Sequence, residues 1–229
     1  MKTLHRLALV CAMTAAASAA SAATTLTFEG LSPTIYGDGE SFSDGAANFS
    51  VQGDGLAGAL IDGSDPGSCD TLLCPKGNNS HYYLGLNDGS LTLSAAGGFR
   101  LNGLDFGFVV PSGGLNGDLS VGMLQITGTD ASGRVSTIAK RFSPTDANGD
   151  YNFSRWNIGG QFGQIEFSSV RFNACLFDAD EVCTSLALNQ AQFALDNIAI
   201  TTAVPEPSSW LLMGLGLAVF GQLSRRRLR

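Results

Sequence analysis

One stretch of the chain has the residue spacing of a metal-binding loop. Asp146, Asn148 and Asp150 form an Asp-x-Asn-x-Asp pattern that imitates the first half of an EF-hand calcium loop. The pattern then departs, because Tyr151 stands where glycine allows the sharp turn and Asn157 stands where a bidentate glutamate completes the shell. Since a site without that acid would be weak, the stretch predicts a plain turn between two strands.

Side chains for nucleophilic or acid–base catalysis are scarce. The sequence has no Gly-x-Ser-x-Gly element, and His81 is the one histidine beyond the first residues of the chain. Glycoside hydrolysis needs only two carboxylates at a suitable separation, but neither Glu166 nor Glu181 is paired with an aspartate in a recognisable pattern. We therefore predict that the protein is not an enzyme, with a secreted glycoside hydrolase as an alternative.

Aromatic side chains could instead stack on the rings of a bound sugar. Tyr82, Tyr83 and Trp156 are the candidates for such ligand contacts. Trp156 lies in an alternating stretch, residues 151–156, where a role in the core is at least as well supported. These three residues are the predicted ligand contacts.

The elements that must position these residues are strands and turns. Runs with strand-like alternation or composition occur at 25–29, 48–51, 81–86, 90–94, 99–110, 119–129, 135–142, 161–172 and 192–201. Asn87-Asp88-Gly89 predicts a tight hairpin turn, and the Gly- and Asp-rich residues 53–67 predict a long surface loop. The pattern predicts an all-β fold, an antiparallel sandwich of two sheets resembling a jelly roll.

Four cysteines follow the first residues of the chain, and three pairings are open to them. Cys69 and Cys74 bracket one short loop, and Cys175 and Cys183 bracket another. We predict these two local disulfides. The spacings and the single remaining histidine disfavour zinc.

The first residues have the features of a secretory signal peptide. Lys2 and Arg6 precede a short apolar run, and small residues around 20–23 offer cleavage sites, which predicts a signal peptide over residues 1–23. A β-sandwich ectodomain is then predicted over residues 24–203. Nineteen of the 20 acidic residues and seven of the 13 basic residues fall in this range, so its net charge is about −12. Such a charge argues against nucleic acid or anionic lipid as a partner.

The last twenty-six residues, 204–229, contain three elements in order. Val204-Pro205-Glu206-Pro207 is followed by an uncharged run over residues 208–223, which would extend about 24 Å as a helix. Arg225, Arg226, Arg227 and Arg229 come next and would stay cytoplasmic by the positive-inside rule. The sequence thus predicts one transmembrane helix at about 208–223 with a basic membrane stop.

These three elements resemble the sorting signal of PEP-CTERM proteins, which Gram-negative bacteria export. The resemblance implies recognition by an exosortase, a membrane-embedded transpeptidase that acts at the Pro-Glu-Pro motif. It implies Sec-dependent export, a transient anchor in the inner membrane, and delivery to the cell surface or extracellular matrix. We expect a non-catalytic protein associated with the extracellular polysaccharide of a biofilm, and possible carbohydrate binding is part of that expectation. The alternative is a structural or adhesive matrix protein that does not bind glycans.

The last predicted strand carries a second resemblance. Gln192, Phe193 and Asp196 match the Gln-Phe-x-x-Asp sequence of a PEP-CTERM subgroup, and the strand resembles the closing strand of exported jelly-roll domains. In such sandwiches an acid on the first strand and the aspartate of the last often share a structural calcium. The resemblance implies that Glu29 and Asp196 would hold calcium here. The simpler interpretation is that Asp196 caps a turn or faces solvent and that Glu29 merely ends a strand.

Overall fold

The computed structural model describes residues 21–69, 72–184 and 189–203. Within it, Ala23–Thr202 form one compact unit. The sorting motif, the basic membrane stop and the predicted transmembrane helix lie outside the described residues, as does most of the predicted signal peptide. No helix in the described ranges is long and apolar enough to cross a membrane.

Strands dominate the described residues, and the helical content is two short 3₁₀ turns at Pro66–Cys69 and Phe162–Gln164. The strands are β1 Ser21–Leu26, β2 Thr34–Gly37, β3 Ser41–Asp44, β4 Ala47–Gln52, β5 Leu56–Asp62, β6 His81–Gly85, β7 Ser90–Phe108, β8 Ser120–Asp130, β9 Val135–Arg141, β10 Ser154–Asn157, β11 Phe167–Phe177, β12 Cys183–Thr184 and β13 Phe193–Ala203. The pairings among β2 to β13 are all antiparallel.

The long strand β7 belongs to two sheets. Its first part pairs with β4 and β11 in the first sheet, whose order is β3-β4-β7-β11-β8-β9. Its second part pairs with β13 and β10 in the second sheet, whose order is β2-β5-β6-β13-β7-β10. Gly97 and Gly98, with φ of 78° and 83°, lie between the two parts, and such values are accessible to glycine at little cost.

The space between the two sheets is filled by large apolar side chains. Leu91, Ile126 and Phe172 of the first sheet belong to the same buried cluster as Phe106 and Phe193 of the second. Because side chains alternate between the two faces of a strand, each sheet contributes every second residue to this core. The prediction of an all-β antiparallel sandwich is confirmed.

The prediction of a long surface loop over residues 53–67 is wrong. Strand β5 lies within this range, and five of the seven residues of β5 are buried. Small residues of β5 and of its neighbour β6 leave room for aromatic rings from adjacent strands. A Cβ atom at Gly58 would overlap the Tyr83 ring, and one at Gly85 would overlap the Phe193 ring. The Gly- and Ala-rich composition reflects this close packing and not exposure.

Three loops between strands share one hydrogen-bonding pattern. In each loop an aspartate Oδ1 accepts the backbone N–H groups of the second and fourth residues that follow it, and the third residue has a positive φ. The aspartates are Asp130, Asp146 and Asp178, and the positive-φ residues are Gly133, Gly149 and Glu181. Asp146 thus supports the predicted turn between strands through its hydrogen bonds.

Both predicted disulfides are present. Cys69 and Cys74 have Cα atoms 6.0 Å apart, and Cys175 and Cys183 have Cα atoms 5.6 Å apart. The first closes a loop that packs on the outer side of the second sheet, and the second connects β11 to β12. Covalent closure of these loops restricts the unfolded chain in an oxidising compartment.

Candidate functional site

Asp196 is a carboxylate that the fold buries completely. It lies on β13 with 0% of its surface exposed. Its Oδ2 accepts hydrogen bonds from Asn78 Nδ2 at 2.7 Å and Ser80 Oγ at 2.9 Å, and its Oδ1 accepts one from the backbone N–H of Asn197 at 2.6 Å. These bonds link the last strand to the segment before β6, more than a hundred residues earlier.

A second acid, Asp105 of β7, lies beside this cluster. The Asn197 side chain donates to Asp105 Oδ2 at 2.9 Å and to Asp196 Oδ2 at 3.2 Å, so it bridges the two carboxylates. Arg155 Nη1 lies 3.4 Å from Asp105 Oδ1 and donates to the Asn197 carbonyl at 3.0 Å. Burial raises the pKa of Asp196, the hydrogen bonds that it accepts oppose the rise, and the charge of Asp105 adds to it.

Sequence reasoning did not identify Asn78, Ser80, Asp105 or Arg155 as neighbours of Asp196. Pairings over such separations depend on the sheet order, which the sequence pattern does not specify. One signal was present, since Asp105 is the single acid in the apolar residues 99–110.

Glu29, the other residue of the predicted calcium pair, reaches the same segment. Its Oε1 accepts a hydrogen bond from the backbone N–H of His81 at 3.1 Å, while Asp196 contacts Ser80. The two carboxylates therefore bind consecutive residues at the start of β6. In the described ranges, no group of three or more His, Cys, Asp and Glu side chains is placed to hold a metal ion.

A cleft of about 260 Å³ opens next to this cluster. Polar groups of Ser64, Asp65, Lys76 and Asn79 line it together with Asn78, which also donates to Asp196. The Cys69–Cys74 disulfide forms one wall, and a second hollow of about 180 Å³ lies on its other side, lined by Asp150 and Tyr151 among others. Hydroxyl, amide and charged groups in such clefts suit polar ligands.

The predicted tyrosine contacts do not offer a ring face to a ligand. Tyr83 is 0% exposed and stacks on Phe42 in the core, with ring centroids 6.0 Å apart. Tyr82 is 2% exposed and packs against Phe153, and burial raises its pKa to about 12. Burial therefore corrects the prediction for both tyrosines, because a stacked sugar needs an accessible ring.

Trp156, the third predicted contact, is only half-buried. Its ring lies 5.8 Å from the Phe106 ring, between centroids, and the Lys140 ammonium lies 5.9 Å from the Trp156 centroid. These neighbours make it a packing residue at the edge of the core, and its role as a ligand contact stays a prediction.

His81 forms no arrangement that would activate a nucleophile. Its Nε2 lies 3.8 Å from Asp62 Oδ2, and the Ser64 hydroxyl donates to Asp62 Oδ1 at 2.6 Å. A catalytic triad requires the histidine between the serine and the carboxylate. Here the carboxylate lies between the other two, so the imidazole does not receive the serine proton.

The raised pKa of Asp196 predicts a pH dependence. Because its pKa is higher in the folded protein than in the unfolded chain, ionisation destabilises the fold above the folded pKa. As the pH falls through that pKa towards the ordinary value of about 4, this destabilisation disappears. In a chelator, the wild type should thus gain stability relative to Asp196→Asn as the pH falls, as measured by urea unfolding of both proteins.

Asp130 supplies a control of opposite sign. The hydrogen bond from the Ser132 hydroxyl is the largest of several that lower its pKa to about 2. The wild type should therefore lose stability relative to Asp130→Asn as the pH falls from about 4 towards 2. A stability difference for Asp196→Asn that does not change with pH would contradict the assigned burial effect.

Comparison with known proteins identifies one region of the chain. Residues 203–227 match the family model described as the PEP-CTERM protein-sorting motif. No curated protein matches the chain. The motif implies an exported protein that undergoes membrane-anchored sorting and exosortase processing in Gram-negative bacteria. By this match, the chain carries a PEP-CTERM protein-sorting motif that begins where the last strand of its β-sandwich ends.

Proposed function

We propose that this is a non-catalytic β-sandwich protein, delivered by exosortase sorting to the cell surface or extracellular matrix, where it associates with extracellular polysaccharide. The observation that carries the proposal is the sorting motif itself, matched from residue 203. The sandwich ends at the same residue, since β13 spans Phe193–Ala203. This arrangement, a folded domain followed directly by a sorting motif, is expected for a protein that a sorting enzyme processes and delivers.

The chemistry of the domain supports this role. Two disulfides stabilise loops of the sandwich, as is usual for proteins that function outside the cytoplasm. The net charge of about −12 over residues 24–203 keeps the domain soluble and repels anionic surfaces. The Asp62 carboxylate lies between the Ser64 hydroxyl and the His81 imidazole, and this arrangement does not activate the serine hydroxyl.

The glycan association can be tested on the full-length chain in a non-ionic detergent. We expect it to bind at least one member of a panel of immobilised neutral polysaccharides, comprising glucans, mannans, galactans and xylans. Binding to no polysaccharide, together with capture of matrix proteins, would contradict this part of the proposal and favour the structural or adhesive alternative.

We propose further that Glu29 and Asp196 bind calcium. Asp196 is buried beside Asp105, and no Lys or Arg of the described ranges forms an ion pair with it, so a divalent cation would offset an otherwise costly buried charge. Ser80 Oγ lies 2.9 Å from Asp196 Oδ2, and Asn78 Oδ1 accepts hydrogen bonds from the backbone N–H and the hydroxyl of Ser80, so oxygen atoms of the kind that calcium prefers lie near the carboxylate. Calcium would supply positive charge there and fasten β13 to the start of β6.

Thermal unfolding tests the calcium site. Because a ligand that binds only the folded state stabilises it, calcium should raise the Tm of the full-length chain relative to a chelator. The rise should be absent in Asp196→Asn and retained in Asp54→Asn, since Asp54 is exposed on a different turn. Equal Tm values with calcium and with chelator in the wild type would remove the site.

A further inference from the structure

The outer face of the first sheet has an unusual composition. We define the polar face as three adjacent rows of outward positions on β3, β4, β7, β11, β8 and β9, bordered on one side by the row of Cys175, Met123 and Arg141. Side chains at these positions alternate with the buried core residues of the same strands. They are Ser41, Ser43, Asn48, Ser50, Gln52, Ser90, Thr92, Ser94, Ser169, Arg171, Asn173, Gln125, Thr127, Thr129, Val135, Thr137 and Ala139.

Strand register aligns these positions into continuous rows across the sheet. The central row begins at Ser41 and Ser50, continues through Thr92 and Arg171, and ends at Thr127 and Thr137. Parallel rows lie on either side of it, and neighbouring strands are about 4.8 Å apart. The result is a broad surface on which hydroxyl and amide groups recur at regular intervals.

The polar face is almost free of charge. Apart from Arg171, Val135 and Ala139, every position in the three rows is Ser, Thr, Asn or Gln, and none is acidic. Arg141, in the bordering row, is exposed and forms an ion pair with Glu181. Solvent-facing surfaces of soluble domains are usually about one-quarter to one-third charged, and this domain contains nineteen acids. Depletion of charged residues is a mark of the central part of interaction surfaces.

Several groups of the polar face are held in place by neighbouring side chains. The Thr127 and Thr137 hydroxyl oxygens lie 3.2 Å apart, and Asn173 Nδ2 donates to Gln125 Oε1 at 3.1 Å. A hydroxyl or an amide can make more than one hydrogen bond, so each keeps further capacity for a ligand. Groups oriented before binding lose less freedom when a ligand binds.

The outer face of the second sheet differs, because the protein covers it. Ile61, Tyr82 and Leu84 form a buried apolar cluster there, against which Cys74 and Phe153 pack. On the first sheet, in contrast, Asn48, Thr137 and Arg171 are exposed. No carboxylate in the described ranges forms an ion pair with Arg171.

We infer that the polar face is the docking surface for an uncharged polysaccharide chain, with Arg171 at its centre donating hydrogen bonds to sugar hydroxyls. The inference rests on the proposed association with polysaccharide and assigns it a surface and a glycan class. Sugar hydroxyls both donate and accept, which complements a field of Ser, Thr, Asn and Gln. The partner is neutral because the strongly acidic domain repels polyanions and the face offers a single cation.

Charge reversal at the centre of the face tests this assignment. Arg171→Glu should weaken binding of the full-length chain to its neutral polysaccharide about tenfold or more, since a hydrogen bond from a charged donor is lost. Arg100→Glu is the matched control, because Arg100 is also exposed but lies on β7 beside Thr201 of the second sheet. It makes the same change in net charge, and we expect less than about a twofold effect.

Two variants with substitutions on edge strands provide a test that does not depend on Arg171. Thr137→Glu places an acid on the polar face, and Thr34→Glu places one on the edge strand of the second sheet, where the threonine is also exposed. We expect weaker binding only for the first. A thermal melt of each variant establishes that it is folded. If Arg171→Glu does not fold, the comparison of Thr137→Glu with Thr34→Glu tests the docking surface.

The outcomes separate this inference from the proposed function. No binding to any polysaccharide overturns both. Binding that Arg171→Glu and Thr137→Glu leave unchanged, or that the control variants weaken equally, overturns the docking surface while the glycan association stands. Binding to alginate, a polyuronate, without binding to neutral chains overturns the assignment of a neutral partner.

Discussion

Replacing Asp88 with alanine is expected to lower the free energy of unfolding by about 2 to 3 kcal/mol. The Asp88 carboxylate accepts three backbone N–H groups from the segment that precedes β13. Its Oδ2 accepts from Asn189 at 2.8 Å, and its Oδ1 accepts from Gln190 at 3.1 Å and Ala191 at 2.7 Å. Alanine leaves these donors without a protein acceptor, and two of the three bonds are partly buried.

The position of Asp88 makes the loss larger than for an ordinary surface aspartate. It lies in the hairpin turn between β6 and β7 with a φ of 58°, a value that aspartate and asparagine tolerate better than alanine. This turn packs closely against β5, since a Cβ atom at Gly89 would collide with the Ala57 backbone carbonyl. A fixed turn can therefore hold the segment that leads into the central strand β13.

Chemical denaturation of the full-length chain in non-ionic detergent measures this effect. Asp88→Asn keeps the tolerance for a positive φ and one acceptor oxygen, so we expect an intermediate loss of about 1 kcal/mol. Asp54→Ala, at an exposed aspartate, should change stability by less than about 0.5 kcal/mol. Equal stability of Asp88→Ala and the wild type would show that the three hydrogen bonds do not hold the segment.

Local patterns predicted the parts of the fold that depend on local chemistry. The turn at Asn87-Asp88-Gly89 and both disulfides join residues that are close in sequence, so composition and spacing were sufficient. Alternation placed β8 and the first part of β7 because one face of each packs in the core. Apolar composition placed β6 and β13, in which consecutive residues are buried. The sequence also predicted two strands where the structure has the single strand β7, since Gly97 and Gly98 resemble a turn.

The remaining features depend on packing between distant residues. The strand β5 was missed because its small residues pack closely against neighbouring strands, as Gly58 does beneath the Tyr83 ring, which only the tertiary structure brings there. The polar face was not predicted either, because it is assembled from six strands whose order follows from no local signal. For Asp196, sequence resemblance identified the residue, but its neighbours became visible only in the folded protein.

The second large effect concerns the sorting motif. Replacing Pro205-Glu206-Pro207 with three alanines should block processing, because the exosortase is expected to act at this motif. The uncharged residues 208–223 and the arginines that follow would remain intact and keep the uncut chain in the inner membrane. We expect full-length protein to accumulate in the membrane fraction, with at least a tenfold loss of the surface-delivered form.

The matched control changes the adjacent residues and leaves the motif intact. Ser208→Ala combined with Ser209→Ala should be processed like the wild type. A host that lacks its exosortase should retain the wild-type chain in the membrane, as the alanine variant is retained in the normal host.

The most direct measurement is the mass of the protein recovered from membrane and surface fractions of an exosortase-containing bacterium. We predict a surface form of the wild type that ends near residues 205–207, and an alanine variant that keeps its full C-terminal tail in the membrane. A variant that is cleaved and delivered like the wild type would contradict exosortase sorting as the basis of this protein's function.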